Sequence, residues 1–129
     1  MSTTAVEMVR SATARVATVT PQDAWEEVVR GDAVVLDVRE PIEWEEHIEG
    51  AVEVPRGILE FQADPASPAH NPALDPAGRV IVVCRSGTRA ALAAATLMDL
   101  GFTDVVNLAG GMTAWKQAGL PTAEVHSEF

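Results

Sequence analysis

Cysteine is scarce: Cys84 is the only one in 129 residues. A lone thiol excludes an intramolecular disulfide and a zinc site built on cysteines. Cations are also few, nine Lys and Arg against 19 Asp and Glu, for a net charge of −10. A surface of that sign repels phosphate backbones and anionic lipid, so neither nucleic acid nor membrane is expected as a partner. Long apolar runs are missing too. Val80-Ile81-Val82-Val83 is among the longest, strand-sized and far short of the roughly twenty residues of a membrane span. Met1 to Thr20 carries Glu7, Arg10 and Arg15 and lacks the continuous apolar stretch of a signal peptide. The expectation is a cytoplasmic protein with a reduced thiol. Its three histidines, His47, His70 and His126, are scattered and with one cysteine make no metal site.

What remains is the composition of an ordinary soluble domain, 47% hydrophobic and 22% charged. A chain of this length makes one domain and buries a core unaided. Residues 1–17 read as a helical extension starting near Thr4, with Val6, Val9 and Thr13 on one face. A domain over 18–121 follows, and 122–129 is expected to be a loosely held tail. Thr20-Pro21-Gln22-Asp23 is a helix start, with a hydroxyl cap, Pro at the first position and an acid in the first turn. Trp25, Val28 and Val29 supply that helix's apolar face, and Gly31 ends it. Ala33-Val34-Val35-Leu36, Arg79 to Val83 and Asp104 to Asn107 are apolar runs without polar alternation, the mark of strands buried on both faces. Shorter strands are expected at Arg15 to Val19 and Val52 to Val54. A helix start at Glu40-Pro41, an Ala/Leu-rich helix from about Thr88 to Leu100 and another opened by Gly110-Gly111 separate the strands. Residues 64–76 hold four prolines and read as a loop. Strands alternating with helices predict an α/β fold, a parallel sheet with helices on both faces.

The chemistry concentrates in one element. The strand Arg79–Val83 delivers Cys84 into Arg85-Ser86-Gly87-Thr88-Arg89, which opens a helix. Ligands of open α/β sheets sit beyond the carboxyl ends of strands, where helix N-termini point. Free backbone amides and the helix dipole both favour a thiolate there. Arg85 and Arg89 add two cations, and Gly87 lets successive amides converge on one anion. A cysteine after an apolar run is ordinarily a packed strand end. The adjoining arginines and glycine have no core-packing use, so the nucleophile is the preferred reading. Charge is distributed accordingly: Asp37 to Glu60 carries eight acids and two arginines, while Cys84 to Arg89 carries two cations and no acid.

Three segments together resemble a single-domain rhodanese, the thiosulfate sulfurtransferase-like family. They are Leu36-Asp37-Val38-Arg39-Glu40-Pro41 with Glu43-Trp44 and His47-Ile48-Glu49-Gly50-Ala51; Val83 through Ala90; and Gly110-Gly111-Met112-Thr113-Ala114-Trp115 through Pro121. Glu46 departs from the pattern, standing where many members have Gly, and residues 64–75 look like an insertion. The resemblance implies a five-stranded parallel sheet and a ping-pong sulfurtransferase. Cys84 would take sulfur from thiosulfate or a related small anionic donor as a persulfide. A cyanide, a thiol or a protein sulfur acceptor would then remove it. Arg85 and Arg89 would orient the donor, a hydroxyl of Ser86 or Thr88 would add a hydrogen bond, and no cofactor is needed.

Asp37 and Arg39 lie on the same rim and read either as site residues or, by preference, as a supporting ion pair. His47 reads as holding a turn, the three tryptophans as core, and Glu43, Glu45, Glu46 and Glu49 as a solvated helix face. Two other functions remain open. One is a phosphatase or arsenate-reductase-like oxyanion enzyme, against which stand the four residues between Cys84 and Arg89, one fewer than in the related phosphatases, and the missing second thiol. The other is a non-catalytic regulatory or sulfur-relay module, which the retained cysteine and arginines disfavour.

Overall fold

Apolar runs without alternation need cover on both faces, and here they receive it. A computed structural model describes residues 2–125. Its strands are β1 (Ala17–Val19), β2 (Val34–Asp37), β3 (Glu46–His47), β4 (Val52–Glu53), β5 (Arg79–Val83), β6 (Asp104–Leu108) and β7 (Ala123–Glu124). Five of them form one parallel sheet in the order β1-β6-β5-β2-β4. The helices are α1 (Ala5–Arg15), α2 (Pro21–Arg30), α3 (Leu59–Ala63), α4 (Thr88–Asp99) and α5 (Gly111–Gln117). The alternation of side chains splits each strand between two cores. Val80 and Val82 of β5 pack with Leu36 under α3 and α4. Ile81 and Val83 pack with Val35, Val106 and Leu108 under α2 and α5. There Trp115, fully buried, meets Trp25 edge-on with ring centroids 6.1 Å apart. This is the α/β architecture that the sequence predicts.

The local signals act as read at α2, where the Thr20 hydroxyl accepts from the Asp23 amide at 3.1 Å and Gly31 closes the helix in the left-handed region. Two apolar faces differ from expectation. In α1 the buried residue is Ala12, packed on Ala91 and Ala95 of α4, while Thr13 is exposed and Val6 is 66% exposed. The facing surface of α4 is alanine, so the helices approach through their small residues and the larger Val6 is turned away. In α2, Ala24 is buried and Val29 is 63% exposed, because the sheet lies beneath Ala24, Trp25 and Val28. The expected helix after Glu40 is a single 3-10 stretch, Pro41–Glu45, and Ile48 lies beyond it.

Two segments with little periodicity are nevertheless tied down. In the proline-rich loop, Asp64, Ser67, Asn71 and Asp75 each accept from the amide two residues on, and Leu74 is fully buried under α3. Of the tail, Thr122 donates to Glu46, and Ala123–Glu124 pairs antiparallel with β3; His126 lies outside the described residues. None of the described helices is long and apolar enough to cross a membrane.

The alanine contact makes a test of α1. Replacing Ala91 with Leu overfills the α1–α4 seam and is expected to destabilise the protein by about 1–3 kcal/mol. Urea denaturation should show a lowered midpoint, whereas Val6→Ala, on the exposed face, leaves the midpoint nearly unchanged.

Candidate active site

Cys84 stands one residue beyond the end of β5, with no exposed surface. The chain then turns through Arg85, Ser86 and Gly87 and enters α4 at Thr88. Gly87 makes the turn at φ +118°, a conformation closed to side-chain-bearing residues. Its amide donates to Cys84 Sγ at 3.0 Å, the one side-chain bond this thiol makes among the described residues. A donor held at that distance stabilises negative charge on sulfur.

The loop is clamped from a second direction by the start of α5. The Met112 and Thr113 amides donate to the carbonyl oxygens of Cys84 and Arg85, at 2.9 and 3.1 Å, and the Thr113 hydroxyl also donates to Arg85 at 3.1 Å. Gly111 permits this approach. A β-carbon there would lie 2.5 Å from the Cys84 carbonyl oxygen and 2.7 Å from the Arg85 carbonyl. Two of the free amides in the first turn of α5 thus go to the backbone of the cysteine loop rather than to a ligand.

The two loop arginines have different fates. Arg89 forms a two-pronged ion pair with Glu43 of the 3-10 stretch, at 2.7 and 2.8 Å. The Arg89 guanidinium, helped by the Glu40 amide, holds the Glu43 carboxyl down at about 2. Arg85 is exposed and takes part in none of the ion pairs among the described residues. It lines a cleft of about 720 Å³ together with Arg39, Ile42, Glu43, Met112 and Lys116. The cation facing open space beside the loop is therefore Arg85. Ser86 and Thr88 are exposed, and neither hydroxyl is hydrogen-bonded among the described residues.

Asp37 and Arg39 are a buried ion pair at 2.9 Å, and Arg39 also donates to the Glu46 carbonyl at 2.9 Å. They join the end of β2 to β3, and Arg39 lines the cleft. His47 pairs through Nδ1 with the Trp44 carbonyl at 2.9 Å and faces Glu53 at 3.9 Å, so it holds a turn. The acidic run is not a uniformly solvated face: Glu43 pairs with Arg89, and Glu46 with Lys116 at 2.7 Å and Thr122 at 2.8 Å. Glu46 sits at φ −117°, where no glycine is required. Among the described residues no group of three His, Cys, Asp or Glu could hold a metal ion. The sequence reading missed three contributors: Glu43, the α5 amides, and Asn107 of β6, which donates to the Gly87 carbonyl at 3.1 Å. The glycine pair before Met112 marks a close approach but does not name its partner.

Two measurements probe this arrangement. Gly111→Ala is expected to push α5 off the loop, lowering the melting temperature and abolishing activity through displaced backbone rather than lost chemistry. For Glu43, a carboxyl held below its ordinary 4.5 stabilises the fold fully above that value and loses its contribution as pH falls toward about 2. Glu43→Gln should therefore lower the denaturation midpoint at pH 7, with the gap to the native protein closing between about pH 4.5 and 2.

Comparison with known proteins identifies the family. A family model, the rhodanese-like domain, matches residues 20–118. The probable adenylyltransferase/sulfurtransferase MoeZ of Mycobacterium tuberculosis is 33% identical over 84% of this chain, which spans 26% of that protein. Thiosulfate sulfurtransferase 16, chloroplastic, of Arabidopsis thaliana is 38% identical over 67% of this chain and 77% of its own length. Several curated relatives are thus much longer, this chain spanning about a quarter to a half of them. A solved structure from Rhodopseudomonas palustris, described as a protein of unknown function and possible tyrosine phosphatase, superposes with a TM-score of 0.87 at 35% identity, covering 95% of this chain and 96% of that one. With its five-stranded parallel sheet and its cysteine loop at the carboxyl edge, the chain belongs to the rhodanese-like domain family.

Proposed function

We propose that this protein is a sulfurtransferase that carries sulfane sulfur as a persulfide on Cys84. The observation that carries the reading is the Gly87 amide at 3.0 Å from Cys84 Sγ, in a loop clamped by α5. The Cys84 thiolate attacks the outer sulfur of thiosulfate or a related small anion. A new S–S bond forms, the old one breaks, and its electron pair leaves with sulfite. The negative charge then rests on the terminal sulfur of the persulfide, beside the loop amides. An acceptor thiolate or cyanide attacks that sulfur, and the electron pair of the Cys84 S–S bond returns to Cys84 as thiolate. Atoms and charge balance in both halves without an added oxidant or reductant. Arg85, which takes part in no ion pair among the described residues, is the cation for the donor anion. Arg89 is engaged by Glu43 and serves to seat the loop.

The acceptor is a small thiol or a protein sulfur carrier reaching the loop over the cleft walled by Ile42, Arg85 and Lys116. A reducing cytoplasm keeps the lone thiol available. The description of the Rhodopseudomonas palustris structure raises a phosphatase as the second reading. Against it, the arginine that would fork a phosphate oxygen pair is here bound to a carboxylate.

After incubation with thiosulfate the intact protein should gain the mass of one sulfur atom, which cyanide or a thiol then removes. Cys84→Ser should gain nothing, with turnover down roughly 10³-fold or more. A native protein that never takes up sulfur from any sulfane donor, yet hydrolyses an aryl phosphate, would move the assignment to the second reading.

A further inference from the structure

Asn107 is polar in a strand whose other buried residues, Val105, Val106 and Leu108, are apolar, and its neighbours across the sheet are Val82 of β5 and Thr18 of β1. It sits in β6, 8% exposed, opposite Val82 of β5. It shares a strand face with Val105, which packs in the α4-side core. Its Nδ2 donates to the Gly87 carbonyl at 3.1 Å. That carbonyl already accepts the Ala91 amide at 2.9 Å, so it has a partner without Asn107. The other end of the side chain, Oδ1, is buried with no hydrogen-bond partner among the described residues. An unpartnered buried acceptor detracts from stability, whereas an apolar side chain of similar size at this position would add to it. The fold therefore has little need of an asparagine here, and what the residue does touch is the cysteine loop.

Gly87 is also the residue of that loop least able to hold itself still. It has no side chain to pack, and it occupies the left-handed region, φ +118°, at the junction of loop and helix. Rotation about its backbone bonds would swing the amide that donates to Cys84 Sγ. The carbonyl on the far side of the same residue is gripped twice, by Ala91 within the helix and by Asn107 from the sheet. A helical bond alone moves with the helix. The bond from β6 refers the residue to the strand beside the one that carries the thiol.

We infer that Asn107 is a positioning residue for sulfur transfer: by holding the Gly87 carbonyl it keeps the Gly87 amide aimed at Cys84 Sγ. The inference rests on Cys84 being the reacting group, and it deepens the sulfurtransferase reading. It assigns Asn107 no contact with the donor or acceptor. Its effect is on how well the loop stabilises charge on sulfur, in the thiolate and the persulfide alike.

The test is Asn107→Leu, with Asn107→Ala beside it in case the larger side chain does not fit. Iodoacetamide alkylation of Cys84, followed by mass across pH, reads the thiolate without any sulfur donor. The expected result is a rate at pH 7 about tenfold slower, with the profile moved to higher pH, as for a weakened hydrogen bond to a charged group. Thiosulfate turnover should lose kcat by a similar factor, with KM within about twofold. The melting temperature of the Leu variant should equal or exceed that of the native protein. An alkylation profile and kcat within twofold of native in a folded variant would overturn the inference. So would losses that merely track a reduced folded fraction. A native protein that alkylates normally but accepts no sulfur would sink the sulfurtransferase reading alone, leaving the alkylation profiles to decide the role of Asn107.

Discussion

The docking of α5 on the cysteine loop is the constraint on which the site depends. Two carbonyls, those of Cys84 and Arg85, face outward from the end of β5 and need donors. The opening amides of α5 supply them, through Met112 and Thr113. The contact is backbone to backbone, so it demands the absence of a side chain at Gly111. Once made, it fixes the plane of the loop. The thiol is then left facing inward toward the Gly87 amide, and Arg85 faces outward toward the cleft. Trp115 and Met112, packed under the sheet with Trp25, hold the helix to this task. Core packing and site geometry are here one arrangement.

Charge is handled in the same economical manner. The chain is strongly acidic, and its acids crowd the segment after β2. Rather than facing water as a block, several are matched to particular cations: Glu43 to Arg89, Glu46 to Lys116, Asp37 to Arg39. The Glu43–Arg89 and Glu46–Lys116 pairs join elements distant in sequence around the mouth of the site, while Asp37–Arg39 spans two residues at the end of β2. Exposed pairs of this kind add little to stability, and the buried Asp37–Arg39 pair sets geometry more than it adds energy. Their combined effect is to leave Arg85 as the positive charge beside the loop with no ion-pair partner among the described residues, which suits a small anion approaching an otherwise repellent protein.

Much of this is legible in the residues alone. The strands β2, β5 and β6 announce themselves as apolar runs, and the Thr20-Pro21 start of α2 carries its own cap. The loop from Cys84 to Arg89 combines a thiol, two arginines and a glycine, types that serve no packing purpose together. Errors arose where a face had two candidates. The expected faces put Val6 and Val29 inside, because periodicity ranks side chains by hydrophobicity; in α1 the alanine surface of α4 takes Ala12 instead, and in α2 the sheet lies beneath Ala24, Trp25 and Val28. The acidic run misled for a related reason: composition shows that carboxylates are numerous but not which cation reaches which.

Local grammar is written in residues 79 to 99: a buried strand, a thiol at its carboxyl end, a glycine-bearing turn and a helix start. Each signal there acts on near neighbours, so a short stretch of chain contains its own evidence. The partners, by contrast, are set by packing. Glu43 meets Arg89 across 46 residues, Asn107 meets Gly87 across 20, and Thr113 meets Arg85 across 28. These contacts depend on which strands lie side by side and how closely the helices settle on them. That spacing is a property of the packed sheet, and no single segment carries it.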